Sequence, residues 1–385
     1  MVQIIRNLTV KVGAEEKALG VHLRKVSTPR KNVDTPRRAL SLTVTGPSEA
    51  LASLHPKSRG MVELYRELTP DLLEKMDRNT QEQKEFTREL ARQVAALPRS
   101  EDLVLLVFAF REKGFCPTPR QAEYLADLVA APFVDAVTVP AILPTDRDSY
   151  HAYVGAFLDA FATIDQTPVL GYVPNFAHRD ILKTIDFFLK RGVKDFVLEF
   201  NGHHAGVLYP SIQGVSRLLT TQLGDDFFIH GLNVGPGAFL RNTEASPSKD
   251  FLALLAGVDS IGSKHVRKKM PMKVWRRLAA DREKGRRLFS RRDYGYYDPR
   301  AYYQRFGGST DEGLVSAASV CRNPLPQMVR LFNAERQTLE AAAVRKHLME
   351  GTLFKYADSK AKLKDDVENV AREWTRQRGQ QTLSS

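Results

Sequence analysis

Cysteine is nearly missing from this chain. Cys116 and Cys321 are the only two among 385 residues, and they lie far apart. That argues against a disulfide framework and excludes a Cys-rich zinc site. Long apolar runs are missing too. Nothing approaches 18 consecutive apolar residues, and the opening MVQIIRNLTV has no signal-peptide core, which predicts a soluble, cytoplasmic protein with no membrane partner. No GxGxxG or GxxxxGK[ST] follows a strand-like run, so dinucleotide and P-loop binding lack support. HxH and HExxH are absent, as is any internal repeat.

Acidic residues are scarce in one place only. Of the formal net charge of +12, the segment from Lys264 to Arg305 holds +11, from 15 Lys and Arg against 4 acids. Cations neutralise phosphates and release counterions, and flat rings give unpaired bases a surface to stack on. Lys264, Arg267, Lys268, Lys269, Lys273, Arg276, Arg277, Arg286, Arg287, Arg291, Arg292, Tyr296 and Tyr297 are therefore the candidate nucleic-acid contacts. A solvated basic helix followed by a Tyr-rich packing strip is the alternative reading.

Apolar, β-branched runs at 103–110, 136–143, 169–173, 195–200, 227–234 and 258–261 alternate with helical stretches. This alternation indicates βαβ units and a parallel sheet. With 39–45 and an early piece at 3–12, the count predicts an α/β fold, a (β/α)8 TIM-type barrel. The barrel's main part is assigned to 1–263, with a polar helical insertion at 47–100. A basic insertion spans 264–325, and the closing helix and a charged tail that frays at its end span 326–385.

In such a barrel the chemistry sits where strands end. Those positions offer Arg111 and Glu112; Pro144, Asp146 and Arg147; Asn175, His178 and Arg179; Glu199, Asn201, His203 and His204; His230 and Asn233; and Asp259, Ser260, Ser263, Lys264 and His265. Asp259 is the leading carboxylate, because it immediately precedes the basic segment; capping a helix or pairing with Lys264 is its structural alternative. Glu199, His203 and His204 are of types that bind zinc or iron, and equally of types that hydrogen-bond a base. No metal and no cofactor is expected.

Four stretches resemble the tRNA-guanine transglycosylase superfamily, which includes DNA-modifying relatives. They are QAEYLADLVAAPFVDAVTVPAILPTDRDSYHAYVGAFLDAF (121–161), PVLGYVPNFAHRDILKTIDFFLKRGVKDFVLEFNG (168–202), GLNVGPGAFLRNTEASPSKDFLALLAGVDSIGS (231–263) and FNAERQTLEAAAVRKHLMEGTLFKYA (332–357). The resemblance implies a barrel that exchanges guanine for a 7-deazaguanine in tRNA or DNA through a carboxylate nucleophile. The chain also departs from the family pattern. VFAFREKGF lacks the early-strand Asp, Pro174 and Asn175 stand near the family's base-reading Gln, and Gly262 occupies the nucleophile's place. Cys321 alone remains of the zinc cluster, with Phe332 at its His.

The resemblance thus implies a base-modifying enzyme with Asp259 as nucleophile and Glu112 or Asp146 as proton shuttle. Asn175, Glu199, Asn201, His203 and His204 would read the base. The partners would be a nucleic acid and a guanine or 7-deazaguanine. The lack of a separate RNA-binding domain after the closing helix inclines the choice to DNA. Two other readings stay open: a nucleic-acid-binding barrel without base exchange, and an unrelated barrel enzyme on a small anionic substrate. Homo- or hetero-oligomeric assembly is equally open.

Overall fold

Parallel strands covered by helices on both faces are apolar throughout rather than alternating, and LVLLVFAF, VLGYV and IHGL are of this kind. A computed structural model describes residues 5–45, 48–97, 101–144, 146–164, 167–238, 243–266, 272, 286–307 and 313–382. An antiparallel sheet comes first, formed by β1 (Thr9–Glu16), β2 (Val21–Ser27) and β3 (Asn32–Thr35). The barrel follows with β4 (Arg37–Arg38), β5 (Leu40–Ser41), β6 (Met61–Leu68), β7 (Leu103–Lys113) and β8 (Ala136–Thr138). The short β9 (Ala141–Leu143) pairs with β7. The ring continues with β10 (Val169–Val173), β11 (Phe196–Glu199) and β12 (Ile229–Leu232), and ends with β14 (Ser260–Ile261) after β13 (Ala245–Pro247). In space the order is β4-β14-β12-β11-β10-β8-β7-β6-β5. β4 and β5 are one stretch of chain split at Ala39, so that path is an eight-position closed parallel ring, a (β/α)8-type barrel.

The sequence reading needs correcting at the N-terminal part. The early piece expected at 3–12 gives no barrel strand over its described residues, because Thr9–Glu16 pairs antiparallel with Val21–Ser27 outside the ring. The missing strand is β6, MVELYREL, inside the stretch expected to be polar and helical. The helices of that stretch, Pro70–Arg78 and Thr80–Ala95, are split at Asn79, whose side chain caps the second through the Gln81 N–H at 3.0 Å. The charged tail forms a helix at Lys364–Thr382, with Val367 and Val370 buried, and the very end, where fraying was expected, lies outside the described residues.

At the N-terminal end of the ring, an aspartate directly precedes each of β8, β11 and β14. Asp135 accepts from Lys31 Nζ and the Val104 N–H, both at 2.8 Å. Asp195 accepts from the Leu8 N–H at 2.7 Å. Asp259 accepts from the Arg24 guanidinium and from the Ile229 N–H at 2.8 Å. The three carboxylates fasten the leading segment and its sheet to the barrel floor.

β15 (Leu288–Ser290) and β16 (Gly295–Tyr297) form an antiparallel sheet with β13 over the other end, against the closing helix Pro326–Met349. Leu288, Tyr297, Tyr302, Phe306 and Phe332 build a second, smaller core there.

Burial pushes the Asp195 carboxyl up from its ordinary 3.8 to about 8. The folded-state value lies above the unfolded one, so the native state holds a proton that the unfolded chain has released. Its contribution is therefore most favourable below pH 4 and is lost as pH rises through about 8. Asp195→Asn keeps an acceptor for the Leu8 N–H but cannot ionise. Its unfolding free energy in urea should gain on the unmodified chain between pH 4 and 8. Parallel pH profiles would refute the assignment.

Candidate active site at the barrel mouth

Glu63 of β6 and His230 of β12 are not neighbours in the ring, so their contact crosses its interior. Glu63 Oε2 lies 3.0 Å from His230 Nε2. The other carboxylate oxygen meets His265 Nε2, and the His265 ring stacks on Tyr65 with centroids 3.7 Å apart. A carboxylate only accepts, so both Nε2 atoms carry hydrogens, an assignment made from the bonding pattern. The Nδ1 atoms then face hydroxyls, Ser260 Oγ at 2.7 Å for His230 and Thr43 Oγ1 at 3.4 Å for His265. Ser41 Oγ is 3.0 Å from Thr43 Oγ1, which makes a hydrogen-bonded row from Ser41 to Ser260. Burial pushes the Glu63 carboxyl up, but the two imidazoles outweigh it and hold the group at about 2. Glu63 is ionised throughout the neutral range.

Glu199 of β11 is the hub of the second half. It accepts from Tyr172 OH at 3.1 Å, Asn233 Nδ2 at 3.0 Å and the Asn201 N–H at 2.6 Å, with Arg111 Nη1 at 3.8 Å. Burial pushes this carboxyl above its ordinary value, and Arg111 leads the groups that pull it back. Asn233 joins the halves, since its Oδ1 accepts the N–H groups of His265 and Val266 at 2.8 and 3.1 Å. Arg111 joins them again through Tyr65 OH at 2.8 Å. Asn201 and Asn233, at the ends of β11 and β12, have φ of 49° and 58°. Left-handed backbone away from glycine collects at functional sites.

Of the residues expected from sequence, Glu199 is central and Asn201 reaches it only through its backbone. Asn175, His203 and Glu112 are exposed on the rim, and His204 is half-buried. Asp146 caps the helix Arg147–Ile164 through the Ser149 N–H at 2.8 Å. Asp259 is on the opposite end of the barrel, held by Arg24, so the expected nucleophile is part of the floor rather than the mouth. Arg267, Lys268, Lys269, Lys273, Arg276 and Arg277 lie outside the described residues. Lys264, Arg286 and Arg287 are half-buried and Arg292 is exposed, while Arg291 Nε donates to Glu340 at 2.9 Å. Tyr296 and Tyr297 are 5% and 1% exposed, turned inward by packing and by bonds to Asp250 and Asp293. As folded they offer no stacking face to a base.

The central residue missed was Glu63, with Tyr65 beside it. His230, Asn233, His265 and Arg111 were identifiable as strand-end residues, and the structure joins them into this network. Among the described residues, no group of three or more His, Cys, Asp or Glu side chains is placed to hold a metal ion. The imidazoles here point N–H groups, not lone pairs, at the carboxylate.

Gly262 follows β14 directly above this network. A Cβ there would overlap Glu63 Oε2 and stand 2.9 Å from His230 Nε2. Beside it a cavity of about 140 Å3 opens between β14, β4 and the closing helix, lined by Arg38, Asp250, Lys264, Tyr296, Arg330 and Gln337 among others. No protein-family model and no curated protein matches the chain.

Two measurements probe this packing. Gly262→Ala should cost about 1–3 kcal/mol in urea unfolding, as overpacking does where neighbours are locked; an unchanged midpoint would mean the Glu63 side chain has room to move. Glu63→Gln should destabilise the chain at pH 7. Because the folded-state pKa lies below the ordinary 4.5, the advantage of the unmodified chain should be complete above that pH and shrink as pH falls toward 2.

Proposed function

We propose that the protein is a base-exchanging glycosyltransferase acting on nucleic acid, with Glu63 in the role first assigned to Asp259. One observation carries the reading: two carboxyls at the mouth are pushed in opposite directions, Glu63 held ionised and Glu199 raised toward protonation. Such a split marks a division into anion and acid. A second point supports it. The resemblance to the transglycosylase superfamily expects a nucleophilic carboxylate at Gly262, and the Glu63 carboxylate fills the volume that a side chain at 262 would need.

In this reading a Glu63 oxygen attacks the anomeric carbon of the target nucleotide. The glycosidic C–N bond breaks, and the departing guanine takes a proton from Glu199. The incoming 7-deazaguanine attacks the same carbon, displaces the carboxylate and returns its proton to Glu199. His265, stacked on Tyr65 and bonded to a Glu63 oxygen, has to swing away for the sugar to approach. The full engagement of both Glu63 oxygens by imidazoles favours the second reading, a barrel that binds nucleic acid without base exchange.

Incubating the full chain with labelled guanine or 7-deazaguanine and either DNA or tRNA separates the two. Incorporation into one polymer is expected. Glu63→Gln should lower it by several orders of magnitude, as loss of an essential nucleophile does. Asp259→Asn should lower the melting temperature but retain the rate per folded molecule. If the unmodified chain labels neither polymer, base exchange is refuted and the binding reading takes its place.

A further inference from the structure

We propose that the cavity beside Gly262 is a phosphate-binding site, seating a backbone phosphate of the strand whose base reaches the mouth. The second half of that statement rests on the function proposed above; the first half does not. Three cations, Arg38, Lys264 and Arg330, line the cavity against one acid, Asp250. The acid is committed to the framework. Its Oδ1 caps the Phe251 N–H at 3.0 Å, and its Oδ2 accepts from Tyr296 OH at 2.7 Å and Gln337 Nε2 at 3.0 Å.

Arg38 is fixed by neutral partners. Its Nε donates to Gln337 Oε1 at 3.0 Å, and its Nη1 to the carbonyls of Ala39 and Ile261 at 3.2 and 3.0 Å. Its Nη2 donates to Ser263 Oγ at 3.1 Å. The guanidinium is thereby held in place by neutral acceptors, with the Glu63 and Asp250 carboxylates acting on it through space. Ser263 Oγ accepts this bond and keeps its own hydrogen to donate. Lys264 lies across the Gly202 turn, its Nζ 3.4 Å from where a Cβ on that glycine would stand, so it borders both the cavity and the mouth.

The place in the fold agrees with the chemistry. Val234 and Pro236 come from the segment after β12, the seventh ring position, and Gly262 to Lys264 from the segment after β14, the eighth. The loops after these two strands are where barrels of this type often hold phosphate. A rigid guanidinium, two longer cations and a hydroxyl suit a tetrahedral oxyanion. That chemistry is shared by a nucleic-acid backbone and a small phosphate ester.

Thermal unfolding of the full chain in sodium chloride and in sodium phosphate, at matched ionic strength and pH, tests the site. Phosphate should raise the melting temperature with saturation. The Lys264→Gln, Arg330→Gln double variant, measured against its own melting temperature in chloride, should lose the rise in phosphate. Arg330 is exposed, so Arg330→Gln alone serves if the double variant folds poorly, with a reduced rise expected. No rise in the unmodified chain, or an undiminished rise in the variants, overturns the proposal.

A single-stranded oligonucleotide then identifies the source. A salt slope about 1.4 smaller in the double variant, roughly 0.7 per lost contact, marks the nucleic-acid backbone. An unchanged slope, with the phosphate effect intact in the unmodified chain, marks a small phosphate compound. Labelled-base incorporation is read separately, so this site and the Glu63 chemistry can fail independently.

Discussion

Hydrogen bonds on either side of Ala39 decide the architecture. β4 pairs with β14 and β5 pairs with β6, and the N–H groups of Arg37 and Ala39 donate to the carbonyls of Asp259 and Ile261, both at 2.9 Å. A parallel sheet left open here would expose two rows of unpaired backbone groups. Closing it removes both edges and fixes which side chains share the interior. Glu63, His230 and Gly262 meet because a single short stretch of chain separates β6 from β14. The site is a product of ring closure, and the same closure buries a charge that only well-placed donors make tolerable.

What could be read from sequence followed the physics of burial. LVLLVFAF, VLGYV and DFVLEF are legible because strands covered on both faces are continuously apolar. β6 was not legible for the complementary reason. In MVELYREL the interior positions include Glu63, and a strand containing two glutamates and an arginine has the composition of a solvated helix. The residue that makes the strand interesting is the one that hid it. Asp259 misled in the opposite direction. A carboxylate beside an apolar strand attracts a catalytic reading, but it stands at the strand's start, and only the three-dimensional partner, Arg24, reveals that.

The closing helix repeats this lesson. Glu335, Arg336, Gln337 and Glu340 would ordinarily mark a solvent face, and all four are buried. Glu335 gathers the N–H groups of His55, Leu314 and Val315 at 2.7 to 3.0 Å, while Glu340 receives Tyr294 OH at 2.7 Å and Arg291 at 2.9 Å. Buried carboxylates of this kind need many donors. Arg291 and Tyr294 of the basic, aromatic strip supply two of those to Glu340, which is why this part of the strip faces inward.

The fastening of the barrel floor also sets a timetable. Leu8 bonds Asp195 across 187 residues, Lys31 bonds Asp135 across 104, and Arg24 bonds Asp259 across 235. Contacts so distant along the chain are slow to form. During synthesis the first antiparallel sheet therefore waits for partners that emerge one after another, and its last anchor arrives with the final strand of the ring. A segment made before the ring is thus among the last to be secured, and until then its apolar residues and strand edges are open to wrong partners.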